Sequence, residues 1–270
     1  MSRRIPTPVM PKPTLDYETL RDVIDLSLWA GQMMLQNGAE SARVEETVHR
    51  LGTALGANWL DILVSPNAIL VTTISGEEFR TKIRRVISMG VNMNIVAEIR
   101  TLVHQVERGQ IDRAGTREVL TRLSLLKPQY NRWTVVVMIG LGCAAFSRLF
   151  GGDWPVFVVT FVAASIAQFV RQELQRHHFN SLIVVVVTSF VASLIAGLAS
   201  LFKLSPHPQT ALIASVILLV PGIHLVNSMR DLIAGHLVTG IVRGVVGGMV
   251  SLGIALGLIM AIRLLGISGL

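Results

Sequence analysis

Apolar residues change their spacing near Trp133, and this change divides the chain into two parts. Before it, apolar residues recur at helical intervals between Leu15 and Leu55 with a break at Asn37-Gly38, so two helices are predicted. Three runs rich in β-branched residues follow. Turn-forming residues separate them, and they predict a three-stranded meander at 59–64, 68–75 and 78–86.

Helical spacing returns after the third run. One helix, capped by Asn92 or Asn94, is predicted to reach Arg108, and another is predicted over 112–125. Residues 15–130 are therefore predicted to form a small α+β domain.

Beyond Trp133 the chain consists mainly of charge-free apolar runs. About 20 such residues cross the ~30 Å of hydrocarbon in a bilayer, and basic residues at the ends of shorter runs can reach the interface. About five transmembrane helices are predicted, near 131–150, 154–172, 179–202, 208–229 and 236–265. The predicted fold is a membrane protein with a cytoplasmic α+β domain followed by an all-α bundle over 131–270.

Charge supports this division. Residues 1–133 hold 17 Lys+Arg and 14 Asp+Glu, whereas 134–270 hold 7 and 3. The net charge of +7 does not indicate nucleic-acid binding, because aromatic residues make up only 6% of the chain and basic residues flank the apolar runs. Cys143 is the single cysteine, so the sequence predicts no disulfide and no thiolate metal cluster, and no metal or cofactor is expected.

Orientation follows from basic residues in the short connections. The side that holds the soluble domain carries more basic residues, which are Lys127, Arg132, Arg171, Arg176, Arg230 and, at a boundary, Arg243. The other side carries Arg148, Lys203 and Arg263. The N-terminus is predicted to be cytoplasmic and the C-terminus periplasmic, in a bacterial inner membrane. Residues 1–14, which include four prolines and no apolar core, are predicted to be a flexible leader.

Polar groups interrupt the apolar pattern between Val220 and Gly244. Pro221-Gly222 is expected to break the fourth helix, and a broken helix is tolerated where it lines protein or a wet cavity. One hypothesis is a translocation site in which arginines attract a carboxylate and Asp231 or His236 couples transport to protons. Its residues are Pro221, Gly222, Asn227, Asp231, His236, Thr239, Arg243 and Arg171. The alternative is a cytoplasmic turn with Arg230 and Asp231 in solvent.

Other polar clusters favour simpler interpretations. Glu40, Arg43, Glu46 and His49 recur at intervals of three on the second helix, which is typical of surface ion pairs but also allows an acid/base pair. Nucleotide-binding and hydrolase motifs are absent from the sequence, so no enzyme is predicted. A membrane-anchored enzyme or sensor acting through the soluble domain remains the alternative function.

Four motifs carry a family resemblance. They are GAES at 38–41, SPNAILVTTI at 65–74, GVNMNIVAEI at 90–99, and a spaced pattern from VPG at 220 through GH and TG to Arg243. In this order they resemble the threonine/serine exporter family, from about Asp22 to Leu265. The chain is most similar to the larger subunit of split, two-component members implicated in succinate export.

The resemblance implies a secondary transporter for small carboxylates, either succinate-like dicarboxylates or threonine and serine. It also implies a second, small membrane subunit equivalent to the C-terminal half of the fused exporters. An odd number of helices agrees with half of an inverted-repeat transporter, which needs a partner of opposite orientation. The chain is therefore expected to work as an oligomer in a lipid bilayer, with no nucleic-acid partner. The residues leave the substrate and the coupling ion open.

Overall fold

The computed structural model describes residues 15–75, 78–87, 90–126 and 130–267. The predicted leader at 1–14 and Lys127 of the orientation argument lie outside these residues. The chain forms two compact units. The first combines Met1–Lys127 with Val226–Arg243, and the second combines Pro128–Leu225 with Gly244–Leu270.

The first unit begins with a helical pair. Helix α1 covers Tyr17–Gln36, and the Asp16 side chain caps its first turn by accepting a hydrogen bond from the Thr19 amide. Helix α2 covers Ser41–Ala54. The predicted break at Asn37-Gly38 is confirmed, because Gly38 has a φ of 91°, a left-handed conformation that glycine adopts without strain.

An antiparallel meander follows in the order β1-β2-β3, as predicted. Its strands are β1 (Trp59–Ser65), β2 (Ala68–Ser75) and β3 (Glu78–Arg85). Two further helices, α3 (Met93–Glu107) and α4 (Arg113–Ser124), complete the N-terminal part of this unit, and Asn92 caps α3. The core lies where α1 and α2 meet the sheet and α3, with Leu20, Met34, Leu51, Ile69 and Ile99 fully buried.

The second unit is helical. Its elements are α5 (Arg132–Leu149), α6 (Trp154–Arg176), α7 (Ser181–Leu201), α8 (Gln209–Val216), a 3₁₀ turn at Ile217–Leu219, α9 (Gly222–Ile233) and α10 (Leu237–Leu265). Both α9 and α10 also contribute residues to the first unit. The sequence predicts one helix over 208–229, and the structure bends this segment by 58° at Val220-Pro221. Proline explains the bend because it cannot donate the helical hydrogen bond.

Membrane-capable helices dominate this unit. Four helices among the described residues, α5, α6, α7 and α10, are long and apolar enough to span a bilayer, and the bent segment raises the count to five. Large apolar side chains such as Met138, Val158 and Leu256 are exposed. Small residues form the interior instead, including Ala163, Ala164, Ala192 and Ala196, as is usual where helices pack in lipid.

Candidate functional site

The predicted site begins at a sharp corner between α9 and α10. Gly235 has a φ of 90° and ends α9. The His236 amide donates to the Asp231 carbonyl at 2.8 Å and the Gly235 amide to the Leu232 carbonyl at 3.2 Å. This hydrogen-bond pattern is a Schellman motif, which glycine favours at the end of a helix. The Ser228 hydroxyl then donates to the Gly240 carbonyl at 2.7 Å and ties the two helices together.

Asp231 at this corner caps α2. Its Oδ1 atom accepts a hydrogen bond of 2.9 Å from the Ser41 amide, the first residue of the helix. Glu40 occupies the N-cap position of α2 but makes no side-chain cap of its own. A carboxylate at a helix N-terminus pairs with unsatisfied amides and with the positive end of the helix dipole. Asp231 therefore supplies the cap from 190 positions along the chain.

Arg243 neutralises this carboxylate. Its Nη1 atom donates to Asp231 Oδ2 at 2.6 Å, and its Nη2 atom donates to the Ala39 carbonyl at 2.9 Å. The two side chains are only 5% and 1% exposed, for Arg243 and Asp231 respectively. The pair satisfies both charges with good geometry, which is the condition for burying an ion pair.

Neighbouring contacts extend the interaction with the turn between α1 and α2. Asn227 donates from Nδ2 to the Gly38 carbonyl at 2.8 Å. Glu40 accepts from Arg230 at 2.9 Å and pairs with Arg43 at 3.1 Å. The GAES sequence at 38–41 thus meets the corner through two backbone carbonyls, one amide and one carboxylate.

His236 and Glu45 form a second polar pair. His236 Nδ1 lies 3.5 Å from Glu45 Oε1, and both side chains are largely covered. Burial raises the pKa of the Glu45 carboxyl. His236 and the Val64 amide oppose this rise in pKa, whereas Asp61 and Asp231 add to it. Glu45 was not among the residues expected from the sequence, because nothing in its local pattern separates it from surface glutamates.

The structure brings five of the predicted site residues into the first unit: Asn227, Asp231, His236, Thr239 and Arg243. Thr239 is buried and its hydroxyl lies 3.4 Å from the Val64 carbonyl. The alternative of a turn with Arg230 and Asp231 in solvent is wrong for Asp231, which is buried, although the Arg230 side chain is 58% exposed. An ionised group in this setting is paired because burial leaves it no water.

The remaining predicted residues, Arg171, Pro221 and Gly222, belong to the second unit. Pro221 is buried at the bend before α9. Arg171 is partly buried in α6 and has no ion-pair partner among the residues that the structure describes. An unpaired guanidinium in a membrane-capable helix is costly, and such groups mark functional sites in membrane proteins.

Hydroxyl groups inside the second unit escaped sequence reasoning. Thr160, Thr188 and Ser193 are buried, and their hydroxyl oxygens have no hydrogen-bond partner in the described structure. Ser189, on the same helix as two of them, donates to the Ile254 carbonyl at 2.7 Å. Serine and threonine are common in helix contacts of all kinds, so their sequence pattern alone does not distinguish packing from a polar path.

The chemistry of the corner is that of a closed polar network. Within the described part of the chain, no group of three or more His, Cys, Asp or Glu side chains could hold a metal ion. Each charged group at the corner instead faces a group of opposite charge or a backbone dipole. The network can position the corner against α2.

Comparison with known proteins places the chain in a family. The family model described as "Putative threonine/serine exporter" (ThrE) matches residues 25–265. The chain belongs to the threonine/serine exporter family. Members of this family named below are transporters, in agreement with the several membrane-capable helices and with a protein that is not an enzyme.

Family relatives fall into two length classes. The chain is 39% identical to "Probable succinate transporter subunit YjjP" of Klebsiella aerogenes, covering 94% of this chain and 98% of that protein. It is 38% identical to the protein of the same name in Escherichia coli, covering 94% and 99%. The "Threonine/serine exporter" of Corynebacterium glutamicum is 23% identical over 87% of this chain but only 49% of its own length. No solved structure matches the chain significantly.

Proposed function

We propose that this chain is one subunit of a secondary transporter that exports small carboxylates across the bacterial inner membrane. The observation that carries the proposal is the difference in coverage. The chain aligns along 98% and 99% of two proteins named as succinate transporter subunits, but along 49% of a threonine/serine exporter. A second, small membrane subunit would supply the equivalent of the remaining half.

The substrate class follows from the names of the relatives and from the basic groups of the chain. Succinate, threonine and serine all carry a carboxylate, which a guanidinium binds through two parallel hydrogen bonds. Arg171 is available for this role because it lacks an ion-pair partner among the described residues. Arg243 is already paired, so a substrate would reach it only by displacing Asp231.

We assign the corner residues a supporting part in transport. Asn227, Asp231 and Arg243 hold the corner to the GAES turn, and His236 with Glu45 provides a group that can take up a proton. Pro221-Gly222 provides the bend that precedes α9. If the corner opened, Arg243 would become exposed and the charge state of the network would change. A proton gradient would act on the transporter through this change in charge.

The decisive experiment measures efflux of labelled succinate and threonine from cells that lack this protein. The cells are complemented with the chain alone, with its second subunit alone, and with both, the second subunit being identified by copurification with the tagged chain. Rescue by the pair only is expected. Full rescue by the chain alone would contradict the two-subunit proposal, and no effect on either substrate would contradict the substrate class.

Replacement of Arg171 tests its proposed role. Arg171→Gln is expected to reduce efflux by at least about tenfold at normal membrane abundance, since one charge-assisted hydrogen-bonded contact contributes about 1.5–3 kcal/mol. Arg176→Gln is the matched control, because Arg176 lies on the same helix but is exposed. Equal efflux from both variants would remove Arg171 from the proposed site.

A further inference from the structure

A cavity of about 280 Å³ lies in the first unit between α1, β3 and α4. Its walls are Asp25, Leu26 and Trp29 from α1, Lys82 and Arg84 from β3, and Arg117 from α4. Three of these six side chains are cationic and one is acidic. None of them belongs to the corner described above.

The acidic side chains around the cavity already form ion pairs. Lys82 pairs with Asp25, and Arg117 pairs with Asp22. Arg84 is left without a carboxylate partner among the described residues. A guanidinium carries five N–H donors. The polar contact described for Arg84 is a weak one, from its Nη1 atom to the Asp25 backbone carbonyl at 3.4 Å.

Arg84 is also partly buried. Burial lowers its pKa, and Asp25 is the charge that opposes this effect. The guanidinium carbon lies 5.8 Å from the centre of the Trp29 ring. Contact with an aromatic face holds a guanidinium in place without satisfying its donors in the ring plane. The cavity therefore presents a fixed, partly desolvated cation beside an indole and the side chain of Leu26.

We propose that this cavity is a binding site for a small organic carboxylate, whose carboxylate group is held by Arg84 and whose apolar body packs against Trp29 and Leu26. The volume lies just below the 300–1,000 Å³ typical of pockets for drug-sized ligands, so a small molecule fits better than a peptide. The choice of a carboxylate over other anions rests on the proposed function. The site would allow the soluble part of the transporter to bind the compound that is exported.

Tryptophan fluorescence of the purified full chain in detergent gives the first test. Succinate and threonine are titrated separately, with inorganic phosphate as a third arm. Saturable quenching by at least one carboxylate is expected, and Trp29→Phe should remove the signal because Trp59, Trp133 and Trp154 lie outside the cavity. Absence of saturation for both carboxylates, or phosphate binding that is as tight, would overturn the proposal.

Adjacent arginines on β3 provide a matched pair of variants. Arg84→Gln should weaken carboxylate binding by about tenfold or more, the loss expected for a charge-assisted contact. Arg85→Gln removes the same charge, but Arg85 is exposed and its side chain points to the opposite face of the strand. Arg84→Lys keeps the charge without the planar guanidinium, and its affinity for the carboxylate should lie between those of the other two variants. Equal affinity in all three variants would overturn the assignment.

The binding test does not depend on transport. Binding without efflux in the complementation experiment would contradict the proposed function and leave the cavity assignment standing. Efflux without any binding at the cavity would contradict the cavity assignment alone. A further check is that the variants remain folded. The Arg84 and Arg85 variants are expected to have equal thermal unfolding midpoints.

Discussion

At the scale of single residues, Asp231 and Arg243 form a buried ion pair in the first unit. Each is nearly fully buried, and each contacts both its partner and a backbone group, which is the Ser41 amide for Asp231 and the Ala39 carbonyl for Arg243. The sequence singles out both residues, because charges are rare beyond Trp133. It does not reveal their partners, since the Ser41 amide lies 190 positions from Asp231 and the Ala39 carbonyl 204 positions from Arg243.

Breaking this ion pair should destabilise the protein. Asp231→Ala and Arg243→Ala each leave a buried charge without its partner, which costs about 3–5 kcal/mol. The double variant should lose less stability than the sum of the losses in the two single variants, because it buries no charge without a partner. The measurement is the thermal unfolding midpoint of the full chain in detergent, together with its membrane abundance.

The control for this cycle is the pair of Arg230 with Glu40. Arg230 is largely exposed, so Arg230→Ala should change the unfolding free energy by no more than about 1 kcal/mol. Additive effects of the Asp231 and Arg243 substitutions would show that the two side chains do not stabilise each other.

Glu45 should make stability depend on pH. Burial raises its pKa above the ordinary value of 4.5, so the folded protein binds this proton more tightly than the unfolded chain does. The stabilisation is complete below pH 4.5 and is lost as the pH rises through the higher folded pKa. Glu45→Gln should therefore flatten the unfolding midpoint as a function of pH from 4.5 upward. The exposed Glu98→Gln serves as control, and an unchanged profile in Glu45→Gln would contradict the prediction.

At the scale of elements, glycine decides how closely α10 approaches α7. A Cβ atom at Gly257 would lie 2.5 Å from the Val186 carbonyl oxygen and 2.7 Å from the Phe190 amide nitrogen, both backbone atoms that cannot move alone. At Gly248 nothing lies within 4 Å. The glycine-rich pattern of this helix predicts packing, and the structure confirms it at Gly257 but not at Gly248.

These two glycines make a matched pair. Gly257→Ala should destabilise the protein, because helix α10 must shift to relieve the contact, typically at about 1–3 kcal/mol for overpacking. Gly248→Ala should be neutral or stabilise by up to about 1 kcal/mol through helix propensity. Thermal unfolding of both variants in detergent checks the prediction, and similar losses in the two would show that α7 does not limit α10 at Gly257.

Strands and caps were also predictable at this scale. Strands β1 to β3 are short, rich in β-branched residues and separated by turn residues, so local chemistry is sufficient to define them. The bend at Pro221 follows from a missing backbone donor. The sequence ends the fourth helix at 229 and begins the fifth at 236, whereas the structure ends α9 at Ile233 and begins α10 at Leu237.

At the scale of the whole molecule, orientation in the membrane is the main open prediction. Basic residues in the connections favour a cytoplasmic N-terminus and a periplasmic C-terminus. Fusions of alkaline phosphatase and of green fluorescent protein to the C-terminus should give an active phosphatase and a dark fluorophore, since each requires a different compartment. The opposite result would place the C-terminus in the cytoplasm and would contradict the predicted orientation.

The sequence alone determined the properties that depend on neighbouring residues or on composition. These are the apolar helices, the meander, the bend at Pro221 and the family, whose motifs are short and ordered along the chain. Only the tertiary structure decided that 226–243 belongs to the same unit as the N-terminal helices, and that Asp231 caps α2. Glu45 beside His236 and Arg84 beside Trp29 are further examples. The physical reason is that burial and pairing of charge depend on groups that are distant in sequence, whereas helix and strand formation depend mainly on local spacing.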